Sequence, residues 1–119
     1  MDDSGQQAAD GLLQLCQELG LQYEPQDWGI INADSDRLSE FIEFYESHPN
    51  LIASQKFELG ELILASANEA LVSNCRLEQR LTSWITTNRS ELEHHIQYWK
   101  SLTDVTEFPL AGWLRDLDV

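Results

Sequence analysis

The stretch from about Ser54 to Val72 constrains the fold more than any other part of the chain. Leu59, Ile63, Leu64, Ala67, Ala70 and Leu71 recur at the spacings of a helix and cover one wide face of it, while Glu58, Glu61, Asn68 and Glu69 fall mostly on the other. Ala65, Ser66 and Ala67 are small enough to let neighbouring helices come close. Gly60, inside the helix, costs about 1 kcal/mol against Ala, and its lack of a side chain allows a close neighbour. This segment is the predicted central helix of the core.

The same period recurs on either side. Gly5 to Leu19 reads as a first helix, with Leu12, Leu15, Cys16 and Leu19 on one stripe and Gly20 as its stop. Leu21 to Ala33 reads as a connection, because Pro25 and Gly29 argue against a helix through it; a connection this long is uncommon and often functional. Asp34 or Ser35 caps a helix that runs to about Ser47, with Leu38, Phe41, Ile42 and Tyr45 inward and Asp36, Glu40 and Glu43 outward. The His48-Pro49 step ends it. Arg76 to Thr86 carries Leu77, Leu81, Trp84 and Ile85 at helical spacing. Asn88 to Glu91 has the pattern of a capping box that would open a helix to about Leu102, with Leu92, Ile96 and Trp99 inward. A short last helix, Leu110 to Asp116, would dock Trp113 and Leu117. No long period-two alternation appears, so the expectation is an all-α, single-domain antiparallel helical bundle of five to six helices over residues 1–119. Its radius of gyration should be roughly 13–14 Å, and only Met1 to about Gln6 look unanchored.

Cys16 and Cys75 sit in apolar helical contexts and read as reduced, buried hydrophobes rather than a disulfide framework. No basic segment followed by an apolar run opens the chain, so no signal peptide is expected. The richest apolar run, Leu62 to Ala65, is far too short to span a bilayer. These features together predict a cytoplasmic protein.

Charge gives the main functional clue. The first 36 residues hold eight acids and no Lys or Arg; through Asn74 there are 14 acids against Arg37 and Lys56 alone, and almost all of the net charge of −14 lies in that front part. Such a surface repels nucleic acid and anionic membranes and attracts a basic partner. Arg76, Arg80 and Arg89, the nearest thing to a basic cluster, are flanked by Glu78 and Glu91.

No motif for catalysis accompanies the charge. Glu91 and His94 have the Glu-x-x-His spacing of helical di-iron sites, but there is no second copy. No Cys-x-x-Cys pair suggests zinc, and no glycine-rich loop suggests phosphate binding, so no metal and no cofactor are expected. The pairs Glu40/Glu43 and Glu58/Glu61 read as solvated faces, which make poor general acids at neutral pH. An enzyme would require three acids or histidines converging in a buried pocket. The chain is accordingly expected to be no enzyme.

An acidic face gives fast, salt-sensitive association, and affinity then comes from aromatic anchors within it. Trp28 sits between Asp27 and the Asp34/Asp36 pair, with Tyr23 nearby. The expected partner-binding residues are Asp27, Trp28, Asp34, Asp36, Glu40, Glu43, Glu58 and Glu61; the competing reading of Trp28 and Tyr23 is that they are core.

The segment Asp27-Trp28-Gly29-Ile30-Ile31-Asn32-Ala33-Asp34, a following helix ending Phe44-Tyr45-Glu46, and the run Phe57-Glu58-Leu59-Gly60-Glu61-Leu62-Ile63-Leu64-Ala65-Ser66-Ala67-Asn68-Glu69-Ala70-Leu71 resemble small helical bacterial immunity proteins, over about residues 27–72. The resemblance implies a protein without catalysis of its own that binds and blocks a cognate toxin, often a basic nuclease. The alternative is a small helical adaptor, or a homo-oligomer, whose acidity only provides solubility.

Overall fold

The computed structural model describes residues 4–73 and 79–117. Cys75, the predicted helix start at Arg76 with Leu77, and Met1 to Asp3 of the segment expected to be unanchored lie outside them. Seven α-helices are described: α1 (Ser4–Leu19), α2 (Trp28–Ile31), α3 (Leu38–Ser47), α4 (Ala53–Val72), α5 (Gln79–Thr87), α6 (Glu93–Ser101) and α7 (Pro109–Leu117), with a 3-10 turn, Ser35–Arg37, leading into α3. No strand occurs among the described residues. The radius of gyration is 14.0 Å.

The central helix is α4, against which α1, α2, α3 and α7 all pack. It is covered on more sides than a single wide face: Leu62, Ala65 and Ser66 are buried together with Leu59, Ile63, Leu64, Ala67 and Ala70. A helix enclosed on most sides is apolar nearly all round. Its one fully buried hydroxyl is used, since Ser66 Oγ accepts the Asp34 amide N–H at 3.0 Å. The start of α4 is capped by Gln55, whose Oε1 accepts the Ile52 N–H at 3.0 Å while its Nε2 donates to the Gly11 carbonyl of α1 at 3.2 Å.

The other predicted stripes are the buried ones. Leu12, Leu15, Cys16 and Leu19 of α1, and Leu38, Phe41, Ile42 and Tyr45 of α3, are all in the core. So are Leu81, Trp84 and Ile85 of α5, and Leu92, Ile96 and Trp99 at and within α6. Trp113 and Leu117 of α7 pack on that core half-buried. Asp34 caps the 3-10 turn by accepting the Asp36 N–H at 3.0 Å. Arg37 joins two helices: its Nη2 donates to the Leu19 carbonyl at the end of α1 at 2.8 Å, and its guanidinium lies 4.9 Å over the Phe41 ring. Gly20, at φ +67°, closes α1 with a Leu21 N–H bond back to the Cys16 carbonyl. Asn68 of α4 accepts the Leu110 N–H, one of the donors left free in the first turn of α7. Arg115 donates to the Lys100 and Leu102 carbonyls and so ties α7 to the end of α6.

Two expectations are corrected. The connection 21–33 contains a helix, α2, which raises the helix count above six. Gly29 is not a breaker there. It lies where α2 touches the α4 backbone, and a Cβ at this position would come within 2.7 Å of the Leu62 amide nitrogen. The capping box at Asn88–Glu91 does not form, and α6 begins at Glu93 after a turn. The Glu91 carboxylate instead accepts from Tyr45 Oη at 2.7 Å and pairs with Lys56 Nζ at 3.3 Å, bridging α3 and α4. Burial and the charge of Glu91 hold the Tyr45 phenol well above its ordinary range.

Candidate functional site

Because α2 sits directly on α4, Asp27, the residue that leads into it, is held at the surface beside Glu61. Asp27 has left-handed backbone (φ 56°) and starts α2 exposed to solvent. One turn on, Ile30 is 51% exposed, an unusual place for a branched apolar side chain. Across α4, α6 presents His94 and Tyr98, the latter 53% exposed, and α4 itself contributes Phe57 at 42%. Between them lies a hollow of about 250 Å³ lined by Asp27, Ile30, Phe57, Glu61, His94 and Tyr98 among others. A second hollow of similar size adjoins it across Ile30, Tyr98 and Trp99, and is lined further by Ala65, Glu69 and Phe108. Together they form a groove whose floor is α4 and whose walls are α2 and α6. Among the described residues, no Lys or Arg lines either half.

Burial disfavours the charged form of two carboxylates in this groove, Glu61 and Glu69, and of Glu58 beside it. Burial, then the neighbouring charge of Asp27, raises Glu61 above the ordinary carboxylate value, partly opposed by a hydrogen bond with the Gly29 backbone. Burial, then Glu61, raises Glu58. Burial, then Asp34, raises Glu69, with the Ser35 backbone opposing. Among the described residues, none of Asp27, Glu58, Glu61 and Glu69 forms an ion pair with Lys or Arg. Three cations are engaged elsewhere: Arg37 with Glu40, Lys56 with Glu91, and Arg80 with Glu46.

The predicted binding residues therefore separate. Asp27 and Glu61 share the groove, and Glu58 stands next to Glu61, half-buried rather than on a solvated face. Asp34 lies beside Glu69, with its side chain used as a cap. Asp36, Glu40 and Glu43 are exposed on the 3-10 turn and α3, and Glu40 is held by Arg37 at 2.5 Å. Trp28 is a correction. It is 1% exposed, and its indole N–H donates to Cys16 Sγ at 3.1 Å, so it anchors the core and not a partner. Tyr23 is exposed. The aromatic and apolar rim is supplied by Tyr98, Phe57 and Ile30, which charge-based reading passes over; an Ile30-Ile31 pair in a polar connection was the available signal.

The groove also holds two histidines, which bears on catalysis. Asp27 and His94 are exposed in an open hollow, not a buried pocket. The His95 Nε2 is engaged by the Phe57 carbonyl at 2.8 Å, and burial lowers its pKa below the ordinary histidine value, favouring the neutral ring. No hydrogen bond joins either histidine to Asp27 or Glu61 among the described residues. No group of three or more His, Cys, Asp or Glu there is placed to hold a metal ion, and no described helix is long and apolar enough to cross a membrane.

The chain matches no protein-family model. Comparison with curated proteins and with solved structures gives no match either.

The raised carboxylates give a pH prediction. A folded-state pKa above the unfolded value of about 4.5 means that ionising Glu58 and Glu61 opposes folding. That opposition is absent below the unfolded value and complete above the folded one. The variant Glu58→Gln/Glu61→Gln should therefore melt above the wild type at pH 7.5, and the difference should shrink as pH falls towards about 4.5. His95 runs the other way in both proteins: its lowered pKa favours folding above about 6.5, and this is lost as pH falls through the folded value. Thermal melts of the two proteins at both pH values check this; a variant that melts lower at pH 7.5 would mean the carboxylates are stabilised in the fold.

Proposed function

We propose that this chain is an acidic protein-binding module that takes a basic partner at the groove between α2 and α6, and that it serves as an immunity protein neutralising a basic, nuclease-like toxin. The observation that carries the binding reading is a set of carboxylates that have no Lys or Arg partner among the described residues, partly desolvated and set among exposed apolar side chains. Holding them so lowers stability, and a bound cation would relieve it. Ile30, Phe57 and Tyr98 supply the apolar contact that affinity needs. The exposed acids Asp36 and Glu43 add a field that speeds encounter.

The immunity reading rests on the resemblance over residues 27–72, and Asp27, Glu58, Glu61 and Glu69 all fall inside that span. It has the protein act in the cytoplasm by occupancy, without catalysis. Self-association is the weaker reading, because pairing two copies through this groove would bring like charges together.

A basic protein recovered from the native organism's lysate on this chain tests the proposal. Expressed alone it should impair cells, and co-expression with this chain should rescue them through a 1:1 complex. A partner whose activity is unchanged by a saturating amount of this protein would contradict the inhibitor role. In the complex, reversing Asp36 and Glu43 should mainly slow association, whereas Glu61→Lys should mainly speed dissociation, weakening binding by roughly 2 kcal/mol or more. Stopped-flow mixing separates the two.

A further inference from the structure

The groove has a repeat along its floor. Glu61, Ala65 and Glu69 stand at i, i+4 and i+8 on α4, and each lines one of the two adjoining hollows. At a rise of 1.5 Å per residue the two acids are separated by about 12 Å along the helix. Between them Ala65 leaves a small-residue floor, flanked by Ile30 of α2 and by Tyr98 of α6. Negative, apolar, negative is the complement of a segment that is positive, apolar, positive.

We propose that the groove accepts an amphipathic basic α-helix of the partner, lying along α4, with Lys or Arg at two positions seven residues apart and an apolar residue at the fourth position after the first. This deepens the binding reading above and rests on it. Residues i, i+4 and i+7 of a helix share one face, and the two cations would stand about 10.5 Å apart, within reach of Glu61 and Glu69 given the length of their side chains. An extended segment fits less well. Its backbone N–H and C=O groups need partners when buried, and the side chains of three helices offer no strand edge to supply them. The apolar residue would rest over Ala65 between Ile30 and Tyr98. Burial raises both Glu61 and Glu69, as expected for carboxylates awaiting a cation.

A pair of synthetic helical peptides tests this on the full chain at low salt, by NMR titration. One carries Lys, Leu and Lys at i, i+4 and i+7 on an Ala/Gln background. Its isomer moves the second Lys to i+9, on the opposite face. The face-matched peptide should bind at least fivefold tighter, with shifts concentrated between Glu61 and Glu69. Glu69→Gln and Tyr98→Ala, both at exposed positions that leave the core intact, should each reduce that preference. Equal affinity for the two isomers would overturn the helix inference and leave the basic-partner reading standing. No binding of either peptide would overturn both.

Discussion

Trp28→Ala should cost about 3–5 kcal/mol of folding stability, a large share of the roughly 5–15 kcal/mol available to a domain. Trp28 is among the largest fully buried side chains and packs into the same core as Leu59 and Leu62. Truncation removes the ring's burial and leaves a cavity that the central helix cannot fill by moving. It also removes the indole N–H bond to Cys16 Sγ at 3.1 Å, which joins the connection to α1. Trp28→Phe keeps most of the packing and loses that bond, so its cost should be clearly smaller, roughly 1–2 kcal/mol. Urea unfolding gives both values, and the Ala variant should melt lower by more than about 10 °C. A loss under about 1 kcal/mol would mean that Trp28 is not a core residue.

Gly29→Ala should be damaging although it adds a single methyl group. The added Cβ would meet the Leu62 amide nitrogen at 2.7 Å and Glu61 Cγ at 2.9 Å, with the Glu61 carbonyl carbon at 3.0 Å. Two of these atoms are backbone of the central helix, so neither can swing aside. The chain must lift α2 off α4, at an expected cost of about 1–3 kcal/mol or more. Gly112→Ala is the matched control. It lies within α7, and its Cβ would meet nothing nearer than Val105 Cγ1 at 3.6 Å, an ordinary contact. There the gain in helix propensity should stabilise by about 0.5–1 kcal/mol. Opposite signs for the two substitutions are expected in urea titrations; the same sign would contradict the close seating of α2. Lifting α2 also displaces Asp27 and Ile30, so Gly29→Ala should weaken partner binding beyond its effect on the folded fraction.

The same two residues show what periodicity could and could not reveal. The long helices were legible because each repeats its apolar residues over several turns, and their predicted stripes are the buried ones. A four-residue helix has no such repeat. Gly29 therefore read as a breaker, when its value is the absence of a side chain at a helix–helix contact. Trp28, between acids, could be read as an anchor or as core, and only its long-range contact with Cys16 decides it. Glu91 had the local pattern of a cap but is drawn away by Tyr45 and Lys56, which are 46 and 35 residues distant in sequence. The candidate site was legible in its charge and not in its shape. The acids cluster in the front of the chain, yet the groove selects Asp27, Glu61 and Glu69 and leaves Asp36, Glu40 and Glu43 on another surface. Part of its apolar wall comes from Tyr98, far along the chain, which composition gave no reason to single out.

The most direct measurement is capture from the native organism's lysate on three baits in parallel: the wild type, Asp27→Lys/Glu61→Lys, and Asp36→Lys/Glu43→Lys. Each bait is first shown to be helical by circular dichroism. The account predicts one basic protein on the wild type, released by rising salt, retained more weakly by the α3-side variant and lost from the groove variant. The same protein held equally by wild type and groove variant, or no basic protein on any bait, would contradict it.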